Sequence, residues 1–98
     1  MNATIEEMKE REAGTEKDYV LLDVREDYER TEFNIGGIHV PLGELMGAFD
    51  RLAAHKDDEL IVYCRSGKRS AMAAQLLGQS GFTNVRNLEG GMLAWQAE

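Results

Sequence analysis

Leu60-Ile61-Val62-Tyr63-Cys64-Arg65-Ser66-Gly67-Lys68-Arg69-Ser70-Ala71-Met72-Ala73-Ala74-Gln75-Leu76-Leu77 decides how the rest of the chain is read. Its first four residues form a short apolar run with β-branched members, the pattern of a strand covered on both faces. The run stops at Cys64, the only cysteine. A turn-prone stretch carrying Arg65, Lys68 and Arg69 follows. After it comes an alanine- and leucine-rich stretch of helical character, expected to reach about Gln79. This order predicts a thiol at the carboxyl end of a strand and at the mouth of a helix. Unpaired backbone N–H groups and the positive end of the helix dipole favour an anion there. A thiolate is an anion, and so are the substrates such a cradle would bind.

Outward from this stretch, strands and helices alternate. Thr4-Ile5-Glu6-Glu7 fits a capping box, opening a short helix through Met8 to about Glu12 that Gly14 ends. Tyr19 to Val24 reads as a buried strand. Glu26 to Phe33 is expected to be a short helix with Tyr28 and Phe33 available for packing, broken by Gly36-Gly37. Ile38-His39-Val40 is a short strand closed by Pro41. Gly43 to Ala54 places Leu45, Met46, Phe49, Leu52 and Ala53 at helical spacing, predicting one helical face. Gly81 turns the chain into a last strand, Val85 to Leu88. Gly90-Gly91 then leads into a helix, Met92 to Gln96, anchored in the core by Trp95. Met72 and Met92 are expected in the core as well. The pattern predicts an α/β fold, a central, mostly parallel sheet of about five strands with helices on both faces. Ligands of such sheets bind at the carboxyl ends of the strands, where Cys64 and Asp23-Val24-Arg25 both fall.

Bulk properties narrow the function. The 98 residues, 43% hydrophobic and 30% charged, suit one globular domain over residues 1–98. A net charge of −7 argues against nucleic acid as the partner, since phosphate binding needs a basic face. Acidic residues crowd the N-terminal part, from Glu6 to Asp18, and read as a solvated helix face. The basic Cys64 loop stands apart and suggests a small anionic ligand. One cysteine excludes an intrachain disulfide framework and a multi-cysteine metal site, and His39 and His55 have no partners at ligand spacing. No metal or cofactor is expected. Nor is there a signal-peptide pattern or an apolar run long enough to span a bilayer. The expectation is a soluble cytoplasmic protein with no membrane association.

Five blocks in order resemble the rhodanese family of sulfurtransferases in its single-domain form. They are Leu21-Leu22-Asp23-Val24-Arg25-Glu26; Tyr28 to Phe33 with Ile38-His39-Val40-Pro41-Leu42; Cys64-Arg65-Ser66-Gly67-Lys68-Arg69-Ser70; Gly81-Phe82; and Leu88-Glu89-Gly90-Gly91-Met92-Leu93-Ala94-Trp95. The resemblance as a whole runs from about Ile5 to Trp95. The sequence departs from the family where many members carry a histidine, a region here occupied by Asn34-Ile35-Gly36-Gly37. The resemblance implies a rhodanese-like fold and a sulfur transferred through a persulfide on Cys64. The donor would be thiosulfate or another persulfide, the acceptor cyanide or a thiol, and either could be carried by a protein.

Free cysteine has a pKa of about 8.5, and a helix N-terminus with nearby cations lowers it to roughly 3.5–7.5. Cys64 is therefore expected to be largely thiolate at neutral pH. Arg65 and Lys68 are the expected substrate-facing charges, with Ser66 between them and Gly67 permitting the tight curvature. By the resemblance, Arg69 and Ser70 brace the loop and start the helix, while Asp23 and Arg25 support it from behind. Asp23 is the expected partner of Arg69. Two other readings stand beside this one. A non-catalytic sulfur-carrier or binding module would need the same thiol. A cysteine-dependent phosphatase or arsenate reductase would too, but those resembling this fold place five residues between cysteine and arginine. Here four separate Cys64 from Arg69, and the loop holds no aspartate to serve as general acid.

Overall fold

The computed structural model describes residues 2–97. Five strands form one sheet in the order β1-β5-β4-β2-β3, every neighbouring pair parallel. They are β1 (Asn2–Ala3), β2 (Val20–Asp23), β3 (Ile38–His39), β4 (Leu60–Tyr63) and β5 (Val85–Leu88). The helices are α1 (Ile5–Ala13), α2 (Asp27–Glu32), α3 (Phe49–Leu52), α4 (Lys68–Gln79) and α5 (Gly91–Ala97).

Side chains alternate across the sheet, which divides the core in two. Leu22 of β2 with Leu60 and Val62 of β4 point to one face, against Ala73 and Leu77 of α4 and Leu45 and Leu52. Leu21, Ile61 and Tyr63 point to the other, against Ile5 and Met8 of α1 and Met92 of α5. Both faces of β4 are thus covered, which is why its four residues are all apolar or aromatic and all buried. The two central strands and β5 lie where the sequence places them, within a residue or two.

The structure adds to these expectations and corrects several. The fifth strand is Asn2–Ala3, two residues that pair with Asn87 and Leu88 and are too short to carry a period. Gly43 to Ala54 is not one helix: a 3-10 turn run (Leu42–Ala48), the four-residue α3 and a second 3-10 turn (Ala53–His55) succeed one another. Glycines at 43 and 47 lower helical preference there, so tertiary packing of Leu45 and Leu52 sets the backbone. Met72 is 57% exposed and Tyr28 is 68% exposed, so neither is core. Trp95, half-buried, does pack against the core cluster of Ile5, Met8 and Met92, its ring facing Lys9 Nζ at 5.3 Å. The acidic helix face is only partly solvated, because Glu7 pairs with Arg11 and Arg86, which also bind Glu59 from the segment before β4.

Strand β4 lies between β2 and β5. The chain leaves β2 toward β3 on one side and leaves β4 toward β5 on the other. The carboxyl ends of β2 and β4 therefore flank a topological switch point, where open parallel sheets form crevices.

Candidate active site

Cys64 follows β4 directly and lies at that switch point. The loop then turns through Gly67, whose φ of 100° is left-handed and open chiefly to glycine. The turn brings the start of α4 back over the cysteine. Gly67 N–H donates to Cys64 Sγ at 3.1 Å, and Ser70 offers its N–H and its hydroxyl, both at 3.4 Å. These are N–H groups that a helix start leaves without intrahelical partners. Burial pushes the thiol's pKa up, yet the bonds from the Ser70 hydroxyl and from the N–H groups of Ser70, Gly67 and Ser66 outweigh it, so the net shift is downward. Cys64 is 1% exposed, at the floor of its loop. Arg65, Ser66 and Lys68 are exposed around it, and Gly67 and Ser70 are buried.

The last helix closes the loop from the other side. Met92 N–H and Leu93 N–H of α5 donate to the carbonyls of Cys64 and Arg65, each at 2.9 Å. This approach needs Gly91: a Cβ there would sit 2.4 Å from the Cys64 carbonyl oxygen. A cleft of about 250 Å³ opens beside the loop, between α2 and α5, with Arg65, Tyr28, Phe33 and Leu93 among its walls.

Behind the loop, charges pair differently from the expectation. Asp23 does not meet Arg69. Its carboxylate accepts from Arg25 Nε and Nη2, both at 2.9 Å, and from Arg30 Nη1 at 3.3 Å. Asp23 ends β2 fully buried, and Arg25 and Arg30, only two and seven residues on, reach it first. Burial opposes its charge, but these cations hold its pKa below the ordinary carboxylate value. Arg69 is taken instead by Glu29 of α2 in a two-pronged pair, 2.7 and 2.8 Å. Arg69 holds the Glu29 carboxyl down to about 2, and Glu29 also accepts from Glu26 N–H at 3.0 Å.

The sequence-predicted residues Cys64, Ser66, Gly67 and Ser70 thus converge on one sulfur. Arg65 and Lys68 stand exposed at its rim, and Asp23 and Arg25 form a buried pair nearby. Two residues went unread. Glu29 carries a signal in hindsight, an acidic residue one helical turn after Glu26 at a helix start. Asn87 of β5 carries none. Its Nδ2 donates to the Gly67 carbonyl at 3.1 Å, and its Oδ1 accepts the Ser70 hydroxyl. His39 lies away from the sulfur, its Nε2 2.8 Å from the Arg25 carbonyl. Among the described residues no three His, Cys, Asp or Glu side chains group as metal ligands would.

Known proteins resemble this chain in sequence and fold. Residues 4–98 match the family model of the rhodanese-like domain. YtwF of Bacillus subtilis, a candidate sulfurtransferase, is 40% identical over 92 residues, covering 93% of this chain and 85% of its own. YrkF of the same organism, a candidate sulfur carrier, is 41% identical over 76 residues, which cover 76% of this chain but only 40% of YrkF. Among solved structures, the human single-domain sulfurtransferase TSTD1 aligns with a TM-score of 0.84 at 27% identity, covering 99% of this chain and 96% of its own. The chain belongs to the rhodanese family, and relatives such as YtwF and YrkF are named as a sulfurtransferase and a sulfur carrier, others as tRNA uridine(34) hydroxylases.

Proposed function

We propose that the protein transfers sulfane sulfur through a persulfide on Cys64, in two half-reactions. The Cys64 thiolate attacks the outer sulfur of thiosulfate. The sulfur–sulfur bond of the donor breaks, its electron pair leaves with sulfite, and Cys64 keeps the outer sulfur. Cyanide or a thiolate then attacks that sulfur and departs as thiocyanate or a new persulfide, and Cys64 returns as thiolate. Neither step needs a metal, an oxidant or a reductant. The carrying observation is the convergence of Gly67 N–H and the Ser70 N–H and hydroxyl on one sulfur. These donors favour an ionised cysteine as nucleophile and, in the second step, as leaving group.

Exposed Arg65 and Lys68 supply the charge that draws a dianion to the mouth. The 1% exposure of Cys64 restricts the donor to one whose sulfur enters end-on, as the terminal sulfur of thiosulfate or of a persulfide does. The four-residue loop leaves one narrow cradle rather than room for a tetrahedral oxyanion, which disfavours phosphate chemistry. Steady-state kinetics with thiosulfate and cyanide test the reading. Parallel double-reciprocal plots, lost in Cys64→Ala, are expected; turnover unaffected by that substitution would refute it. The likeness to YrkF supports a second reading, sulfur carriage between proteins. In that case Cys64 loads from a protein persulfide while thiosulfate turnover is absent.

A further inference from the structure

Ser70 stands between two acceptors and has one hydroxyl proton. Its Oγ lies 3.4 Å from Cys64 Sγ and in closer hydrogen-bond contact with Asn87 Oδ1. The Asn87 amide cannot be turned around, because its Nδ2 faces the Gly67 carbonyl at 3.1 Å, a group that only accepts. Asn87 Oδ1 is therefore an acceptor that competes with Cys64 Sγ for the single Ser70 proton. While the proton lies on Asn87 it is withheld from the sulfur, and Ser70 turns lone pairs toward Cys64. That arrangement suits a neutral sulfur, which either donates S–H or carries no charge. A thiolate demands the opposite, with the hydroxyl rotated onto sulfur and the Asn87 bond broken. Ser70 is fully buried and Cys64 nearly so, so no bulk water is at hand to relieve the conflict.

We propose that Asn87 is a positioning residue that directs the single Ser70 hydroxyl proton, and thereby sets the balance between ionised and sulfur-loaded Cys64. This rests on Cys64 being the sulfur that reacts in the proposed transfer. When Cys64 is thiolate, the proton faces sulfur. When Sγ bonds a second sulfur, its charge moves to the outer atom and the proton returns to Asn87. Asn87 thus favours the loaded state and restrains ionisation. By the Brønsted relation it keeps the thiolate more nucleophilic than the cradle alone would. The other charged groups around Cys64 are Arg65, Lys68 and Arg69 on the loop and α4, Glu29 of α2 bound to Arg69, and Asp23 with Arg25 behind β2. Glu89 sits exposed in the turn before α5, which has no titratable side chain of its own. None of these changes among the variants below.

Because the chain has one cysteine, thiolate ultraviolet absorbance against pH, with Cys64→Ala subtracted, reports Cys64 alone. Asn87→Ala frees the Ser70 proton for sulfur, and the titration midpoint falls by about half to one pH unit. The ratio of loaded to unloaded protein at a fixed thiosulfate-to-sulfite ratio falls about three- to tenfold with it. In a Ser70→Ala background the same substitution no longer lowers the midpoint, since the lowering acts through the Ser70 proton. A merely bracing Asn87 gives the opposite sign, because losing the Gly67 contact loosens the cradle and raises the midpoint. A raised or unchanged midpoint in Asn87→Ala overturns the proposal, as does an undiminished effect in the Ser70→Ala background. Should Asn87→Ala fail to fold, Asn87→Asp keeps the acceptor and adds charge, so its midpoint must rise; a fall overturns the proposal. The titration needs no sulfur transfer, so it stands even if persulfide formation fails. A protein that loads sulfur but titrates with the wrong sign defeats this inference alone.

Discussion

At the scale of a residue, the sulfur of Cys64 is governed by opposing forces. Enclosure at 1% exposure disfavours its charge, and the hydrogen bonds around it favour charge more strongly. The account therefore expects two features together. Alkylation by iodoacetamide should persist at pH values where free cysteine is already protonated, because the group's pKa is lowered. Reagents with bulky aromatic heads should react at least tenfold more slowly than with a free thiol, because the loop encloses the sulfur. Rates measured against pH for both reagent sizes check this; equal rates for the two would deny the enclosure. That the cysteine would meet helix N–H groups was legible in the sequence, since an apolar run, a glycine and a helix former stand in immediate succession. The role of Asn87 was not, because an asparagine in the middle of a strand has no local pattern that reports what it faces.

Elements, not single side chains, decide where the loop sits. The first turn of α4 gives the cysteine its donors, α5 grips the loop carbonyls through Met92 and Leu93, and α2 holds Arg69 through Glu29. The link between α2 and α4 joins residues 40 apart in sequence, and no spacing rule connects them. That distance is why Asp23, the acidic residue in a recognisable block, was expected to hold Arg69. Asp23 instead closes locally on Arg25, and Glu29 projects from the helix that follows. Glu29→Gln should remove the charge facing Arg69 and destabilise the fold by about 2 kcal/mol, as expected for a hydrogen bond between charged groups. It should also raise the Cys64 pKa by loosening the start of α4. Denaturant melts and the pH–alkylation profile measure the two effects. An unchanged melt would show that the pair contributes little.

Across the whole molecule, charged clusters stand at both ends of the sheet. Cations of the loop gather at the carboxyl ends of the strands, while Glu59 is clamped by Arg11 and Arg86 near the amino ends, at 2.7 and 2.8 Å. Arg11, chiefly, and Arg86 hold the Glu59 carboxyl down to about 2, against an ordinary 4.5. A carboxylate depressed by folding stabilises fully above its unfolded value and loses that contribution as pH falls toward its folded one. Stability should thus decline between about pH 4.5 and pH 2, and Glu59→Gln should flatten that slope while lowering stability at neutral pH; thermal melts across this range check it. The alternation of strands and helices made the layered fold legible from the start, whereas a two-residue strand and a broken 3-10 segment carry too little period to be read. The proposed function turns on one atom in this frame. Intact-mass measurement after incubation with thiosulfate tests it most directly. The account predicts a gain of one sulfur atom on the wild type, removed by cyanide and absent from Cys64→Ala. A wild-type mass that never changes, or an equal gain in Cys64→Ala, would contradict it.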